Sequence, residues 1–284
     1  MKIRASLLMM ILTGSLAATA AEPPAFRYKP LAKGDSAEQE AEMRMDFQLE
    51  VLSEGESLMK SKLKFQMSEL SRQNILEANQ DGPTKVRIHY VKLEETETSD
   101  EGTQSTVNPR QGKTFIVGFT PEGLQITDEK GATIGLEDRA ELEDEFDSLG
   151  QRDPLCDYLA GKTLSEGQKI DDAVIRDSIL GSSFESDGVT LDELTLQFRK
   201  FKSSGGSRIG IFEAKMKISG VVEESLKVSA EFKGEIEVAT EGCRLLQVEM
   251  SGPLQMSGTQ EVEGMVLEMR AQGTGRFEIK AKYK

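Results

Sequence analysis

Tryptophan is absent from the 284 residues, histidine occurs once, cysteine twice and tyrosine four times. Each scarcity closes off a class of protein. Two cysteines cannot build a disulfide scaffold, and with one histidine they cannot supply the four ligands of a structural zinc centre. Any Ser-His-Asp or Cys-His arrangement would have to use His89, which alternates with Ile88 and Tyr90 and so shares the wet face of a strand with Lys85 and Arg87. No Cys-x-x-Cys spacing marks a dithiol redox enzyme. Basic residues are also in deficit: 35 Lys and Arg against 49 Asp and Glu give a net charge of −14. That field repels phosphate backbones, and no basic stretch offsets it, which argues against a nucleic-acid partner. Eight prolines and 26 scattered glycines exclude collagen-like and mucin-like chains. Past the first twenty residues, no apolar run approaches the roughly 20 residues a membrane-spanning helix needs.

What remains is a chain 37% hydrophobic and 30% charged, enough for a sizeable core. Lys2 and Arg4, the apolar run Leu7 to Leu12 and the small-x-small Ala18-Thr19-Ala20 read as a signal peptide over residues 1–20, with cleavage before Ala21. Its removal leaves 33 basic against 49 acidic residues, or −16, on residues 21–284. The mature chain is expected to be soluble and exported, periplasmic or extracellular, and without a lipid anchor, since the nearest cysteine is Cys156.

A Pro-marked lead, residues 21–39, precedes a series of period-two segments that make up a β domain over 40–284. Met43, Met45, Phe47, Leu49 and Val51 form one apolar strand face; after the turn Glu54-Gly55-Glu56, Met59, Leu63, Phe65 and Met67 form another. The intervening carboxylates and lysines should face one another across this hairpin. A shorter strand near Ile75, a strand over Val86, Ile88 and Tyr90, a mobile polar loop from Glu94 to Gly112, and a hairpin about Pro121-Glu122-Gly123 are expected next. The period then changes. Leu142, Phe146 and Leu149 make a one-sided stripe in an acidic segment, and Asp153, Pro154, Leu155, Tyr158, Leu159 and Gly161 spell a short capped helix, a helical insert near 137–161. Long strands return after Ala173 and run to the C-terminus; the cleanest has Leu226, Val228, Ala230, Phe232, Ile236 and Val238 on one face.

About twelve or thirteen antiparallel strands joined by short turns make a mainly β fold. A single apolar facing of that extent must be covered, so a strongly curved sheet or incomplete barrel is expected, with the one or two short central helices on its concave side. Two smaller antiparallel β domains, divided near residue 165, are the alternative.

The signal peptide, the Phe119-Thr120-Pro121-Glu122-Gly123-Leu124 turn, the Gly161 to Lys169 connector and the C-terminal meander resemble secreted bacterial all-β proteins of unknown function. More distantly, long curved strands with a helical insert resemble the periplasmic lipoprotein-carrier (LolA-like) superfamily. That resemblance implies a half-open barrel that shelters acyl chains.

Few residues point to chemistry. Glu94, Glu95, Glu97, Asp100 and Glu101, and likewise Glu141, Glu143, Asp144 and Glu145, are acidic clusters without the ligand spacing or central glycine of a calcium loop. They read as a solvated loop and a solvated helix face. Asp171-Asp172 reads as a turn. In an oxidising compartment Cys156 and Cys243 either pair, which would close a loop worth about 4 kcal/mol on the chain-entropy model, or stay as two thiols. Nine methionines lie past residue 20, all on expected strands. Their flexible thioethers suit an adaptable apolar lining, for which Met43, Met45, Phe47, Phe65, Met67, Phe232, Met250, Met256 and Met269 are the candidates. No catalytic, metal or cofactor-binding residue is assigned. The expectation is a non-enzymatic envelope protein that binds an apolar ligand or a lipidated partner, the alternative being a structural or protein-interaction module without a small-molecule ligand.

Overall fold

The computed structural model describes residues 26–170, 188–222, 225–262 and 265–284. The expected signal peptide at 1–20, its cleavage point and the Asp171-Asp172 turn lie outside the described residues. The first half of the chain contributes β1 (Ser36–Ser53), β2 (Glu56–Ala78), β3 (Pro83–Ser99), β4 (Gly102–Val107), β5 (Thr114–Thr120) and β6 (Gly123–Asp128). Helices α1 (Leu136–Glu145) and α2 (Pro154–Leu159) follow, and then β7 (Lys169–Ile170), β8 (Val189–Ser204), β9 (Ser207–Val222), β10 (Leu226–Ala239), β11 (Leu245–Val262) and β12 (Met265–Tyr283). No helix among the described residues is long and apolar enough to cross a membrane.

All twelve strands belong to one antiparallel sheet, in the order β6-β5-β3-β2-β1-β12-β11-β10-β9-β8-β7, with β4 appended to β3. The chain steps outward from β1 to the edge at β6, passes through the helices to the opposite edge at β7, and steps back until β12 docks on β1. The first and last strands therefore meet at the centre, in the register Met43↔Phe277 and Met45↔Gly275. The edges β6 and β7 do not pair, so the sheet stays open. The two-domain alternative is replaced by this single sheet.

Local chemistry explains most of its pieces. In the β1–β2 turn Glu54 and Gly55 both take positive φ, 53° and 86°, the mirror-image geometry whose twist matches that of the flanking strands. Lys60 reaches Glu50 at 3.1 Å and Lys64 reaches Asp46 at 3.6 Å, the expected pairing across this hairpin. Two expectations need correction. The strand near Ile75 is not separate: β2 runs unbroken to Ala78, with register shifts between Leu70 and Ser71 and around Glu77 absorbing the break in alternation. The tract from Glu94 to Gly112 is not a loop throughout, because β3 continues to Ser99 and pairs with β4. Its polar residues are the pairing chemistry, with Thr96 against Ser105 and Thr98 against Thr103, each at 3.1 Å.

The sheet curls strongly. Leu194 on β8 and Met43 on β1 line one cavity, although on a flat sheet five strand spacings would hold them roughly 24 Å apart. Glycines inside the strands permit the bending. A Cβ on Gly252 would lie 1.8 Å from the Glu231 carbonyl oxygen, and one on Gly273 would lie 1.9 Å from that of Asp46, so neighbouring backbones approach where only glycine fits.

Both helices pack on the apolar face, but the facing is not continuous. One buried cluster gathers residues of β8 to β12 with Phe26, Phe47, Leu155 and Leu159. The other gathers Ile75, Val86, Ile88, Tyr90, Phe115 and Val117 under Leu142, Phe146 and Leu149. Each half of the sheet thus has its own covering helix. Helix α2 is built as its sequence announces: Pro154 opens it, and the Asp153 side chain accepts from the Cys156 N–H at 2.9 Å.

Candidate functional site

On the concave face, against the cluster of the second half of the sheet, lies a cavity of about 530 Å³. Neighbouring strands supply its wall: Met43 of β1, Phe277 and Ile279 of β12, Val248 and Met250 of β11, Ile236 of β10, Met216 of β9 and Leu194 of β8. Register brings them together, since Met43 faces Phe277, Phe277 faces Met250, and Ile279 faces Val248.

The roof is the lead that precedes β1. Phe26, fully buried, anchors one end between Phe201 and Phe212, at ring-centroid distances of 5.8 and 6.0 Å. Backbone bonds pin it there: the Arg27 N–H donates to Thr240 O at 2.8 Å, and the Gly242 and Gly161 N–H groups donate to Arg27 O and Phe26 O, each at 2.7 Å. The far end is held by exchange with β2, as Gly34 N–H donates to Ile75 O and Ile75 N–H to Asp35 O, both at 2.9 Å. Between these anchors Tyr28 to Leu31 cross the cavity. The Tyr28 hydroxyl donates to Asp81 O at 2.5 Å, and the Arg152 guanidinium lies 4.3 Å above its ring while also reaching Asp157 at 2.7 Å and Asp81 at 3.3 Å. Burial raises the Tyr28 phenol above its ordinary value, against the pull of Arg152.

Polar groups collect at this roofed end. Cys156 and Cys243 are brought together, and the Cys156 Sγ–H donates to Cys243 O at 2.6 Å. Both are free thiols. Burial pushes Cys243 up to about 11 and Cys156 higher still, with Asp153 adding to each, so both stand protonated and weakly nucleophilic. The Tyr283 phenol, pushed by burial up to about 12, donates to Leu245 O at 3.1 Å. Arg244 lies 5.2 Å above the Tyr283 ring, and its Nε is buried without a hydrogen-bond partner.

Of the nine residues expected to line a cavity, Met43 and Met250 do so. Phe47 and Phe232 are buried in the adjoining cluster, with Met45 and Met256 packed against it. Phe65, Met67 and Met269 are half-buried on the same face but belong to neither cluster. Met216, Phe277 and Ile279 also line the cavity, and their alternation with polar neighbours is the signal that marks them as facing the core. The roof residues Tyr28 and Leu31 and the turn residue Arg244 carried no signal. His89 lies elsewhere, half-buried on β3, with Nδ1 3.0 Å from Thr114 Oγ1. Among the described residues, no three His, Cys, Asp or Glu side chains gather into a group that could hold a metal ion.

A second polar cluster fastens α1. Tyr90, buried in the first half of the sheet, donates its hydroxyl to Glu145, whose carboxylate also faces Arg110 at 3.3 Å; Arg110 reaches Glu141 at 2.6 Å, and Lys113 reaches Asp138 at 2.9 Å. Burial raises Glu145 to about 7, with the nearby Glu69 adding to the shift and Tyr90 and Arg110 opposing it. Glu141 and Glu145, expected on a solvated face, are thereby committed to holding the helix.

No family model matches the chain, and no curated protein does. Among solved structures it is similar to lipovitellin, in a structure concerned with lipid–protein interactions, with a TM-score of 0.38 and 5% identity over 91% of this chain. The match covers 26% of the lipovitellin chain, so this protein spans about a quarter of that one. It is also similar to the outer membrane protein OprG from Pseudomonas aeruginosa, with a TM-score of 0.16 and 7% identity, over 91% of this chain and 99% of that one.

Proposed function

We propose that this protein is an exported, non-enzymatic binder of an apolar ligand, held on the concave face of its sheet. The observation that carries this reading is the cavity of about 530 Å³. It is walled by methionine, leucine, isoleucine and phenylalanine and roofed by a segment pinned at both ends. That volume falls within the range of small-molecule sites, and a wall of flexible thioethers accommodates chains of differing shape. The half-open barrel expected from the lipoprotein-carrier resemblance points the same way, as does the Lys2 to Ala20 export signal. Native mass spectrometry of protein purified gently from the envelope should show a bound species beyond the polypeptide mass. Displacement of the fluorophore 1-N-phenylnaphthylamine should locate that species in the cavity, with Met250→Trp, which fills it, abolishing uptake. A bare polypeptide that also fails to take up the fluorophore overturns the reading.

A second reading, a protein-interaction module, draws on Leu58, Met59, Met265 and Val266, all exposed where the tips of the β1–β2 and β11–β12 hairpins sit side by side. Replacing these four with serine should abolish a reproducible crosslink in cells while leaving fluorophore uptake intact.

A further inference from the structure

The roofed end of the cavity is charged, and its charges are unequally engaged. Among the described residues, four charged ones line the cavity: Lys29, Asp81, Asp153 and Arg244. Lys29 is exposed to water, Asp81 is held by Arg152, and Asp153 caps α2. Arg244 differs from all three. Its side chain is 22% exposed, its nearest carboxylate is Asp35 at 4.0 Å, and that same Asp35 oxygen already accepts the Ala32 N–H at 2.9 Å. Its Nε is buried without a partner. Arg110 and Arg152 have a buried, unpartnered Nε too, although both hold carboxylates closely, so what sets Arg244 apart is the length of its ion pair to an already engaged Asp35, which leaves the guanidinium fork able to take an anion. Gly242 lets the side chain lie where it does, since a Cβ there would come within 2.9 Å of Arg244 Nε.

We propose that the cavity takes a single-chain amphiphile with an anionic head, its chain along the Met43, Met216, Met250 and Phe277 wall and its head on Arg244. This rests on the apolar-ligand reading and specifies its chemistry. Size limits the tail: a cavity of about 530 Å³ is mid-range for a small-molecule site and suits one long acyl chain with its head rather than two. A carboxylate and a phosphate share the required charge and acceptor geometry, since the guanidinium fork meets either.

The test compares palmitate, hexadecyl phosphate and hexadecanol by titration calorimetry on the full mature chain. Arg244→Gln is the variant, and Arg244→Lys is the conservative one. At least one anion should bind about tenfold tighter than the alcohol, a ratio equivalent to about 1.4 kcal/mol. R244Q should erase that preference without weakening hexadecanol, and R244K should restore part of it. A preference shown by only one of the two anions identifies whether carboxylate or phosphate is the natural head. An unchanged preference in R244Q overturns the assignment of Arg244 while leaving the apolar-ligand reading intact, whereas binding of none of the three overturns both. An independent measurement needs no variant: the carboxyl carbon of carbon-13 palmitate bound to the unaltered protein should titrate below the free acid, and titration at or above it counts against the pairing.

Discussion

Removing Phe26 tests whether the roof is an integral part of the fold. The ring is fully buried, touches Phe201 and Phe212, and sits directly over Gly210, where a Cβ would come within 2.5 Å of its Cζ. Phe26→Ala therefore leaves a void bounded by two aromatic rings and a backbone that has no side chain to lean inward. The expected loss is about 3–5 kcal/mol, toward the upper end because the site cannot collapse. Gly210→Ala alone should cost about 1–3 kcal/mol, because the new methyl drives Phe26 out of place. Combined, the two should interact: with the Phe26 ring gone the methyl meets only the edge of Phe212, at 3.2 Å, so the double variant should be nearly as stable as F26A alone. Guanidinium unfolding followed by far-ultraviolet circular dichroism gives all four corners of the cycle, with constant slopes confirming that midpoints report stability. Additivity within about 0.5 kcal/mol would refute the argument, as would a cost for F26A below about 1 kcal/mol, which would mean that the lead is not docked on Gly210.

Three further outcomes follow from the geometry. Glu145 stands near 7 in the folded protein against 4.5 when free, so the folded state keeps a proton that the unfolded chain releases. Stability should therefore fall as pH rises from about 4.5 to 7, by about 1 kcal/mol since a third of the side chain is open to solvent, and Glu145→Gln should flatten the slope down to the part contributed by Glu69, which burial shifts the same way. Urea midpoints across that window that run parallel in the two proteins would contradict this. Gly252→Ala puts a methyl on the Glu231 carbonyl and should cost about 3 kcal/mol or more, read as a fall in melting temperature; a neutral substitution would mean that the β10–β11 approach is looser than described. Finally, both thiols should react with iodoacetamide far more slowly at about pH 8 in the folded protein than in guanidinium, because burial keeps them protonated. Equal rates would place them at the surface.

How much of this was legible depends on how local the signal is. Alternation is local, so Leu226 to Val238 fell on their correct face, and the cap, proline and stripe of α2 were read from consecutive residues. The meeting of β1 with β12 left no mark on either strand, because nothing in the sequence near Met43 points to Phe277. For that reason the apolar facing was visible while the position of the cavity along it was not. Which apolar residues fill space and which enclose it depends on what lies opposite. The Phe232 ring lies over Gly275, where a Cβ would come within 2.8 Å of it, and so fills space, whereas Met250, paired with Gly234, borders the void. The β3–β4 hairpin was hidden by composition, since threonine and serine pair across strands as firmly as they decorate loops. Arg244 follows a turn, and only the packing around it shows that its ion pair with Asp35 is as long as 4.0 Å.

The central seam between β1 and β12 has a kinetic consequence. The strand that completes the middle of the sheet, Met265–Tyr283, is synthesised after every other described strand, and its partner Ser36–Ser53 before them all. Until both are present, each half-sheet exposes a long unpaired edge, so neither half has reason to settle before the whole chain is available. Folding by such a distant pairing is intrinsically slow, because the loop to be closed holds the ten described strands β2 to β11. A chain held open in this way stays extensible until its closing strand has been made.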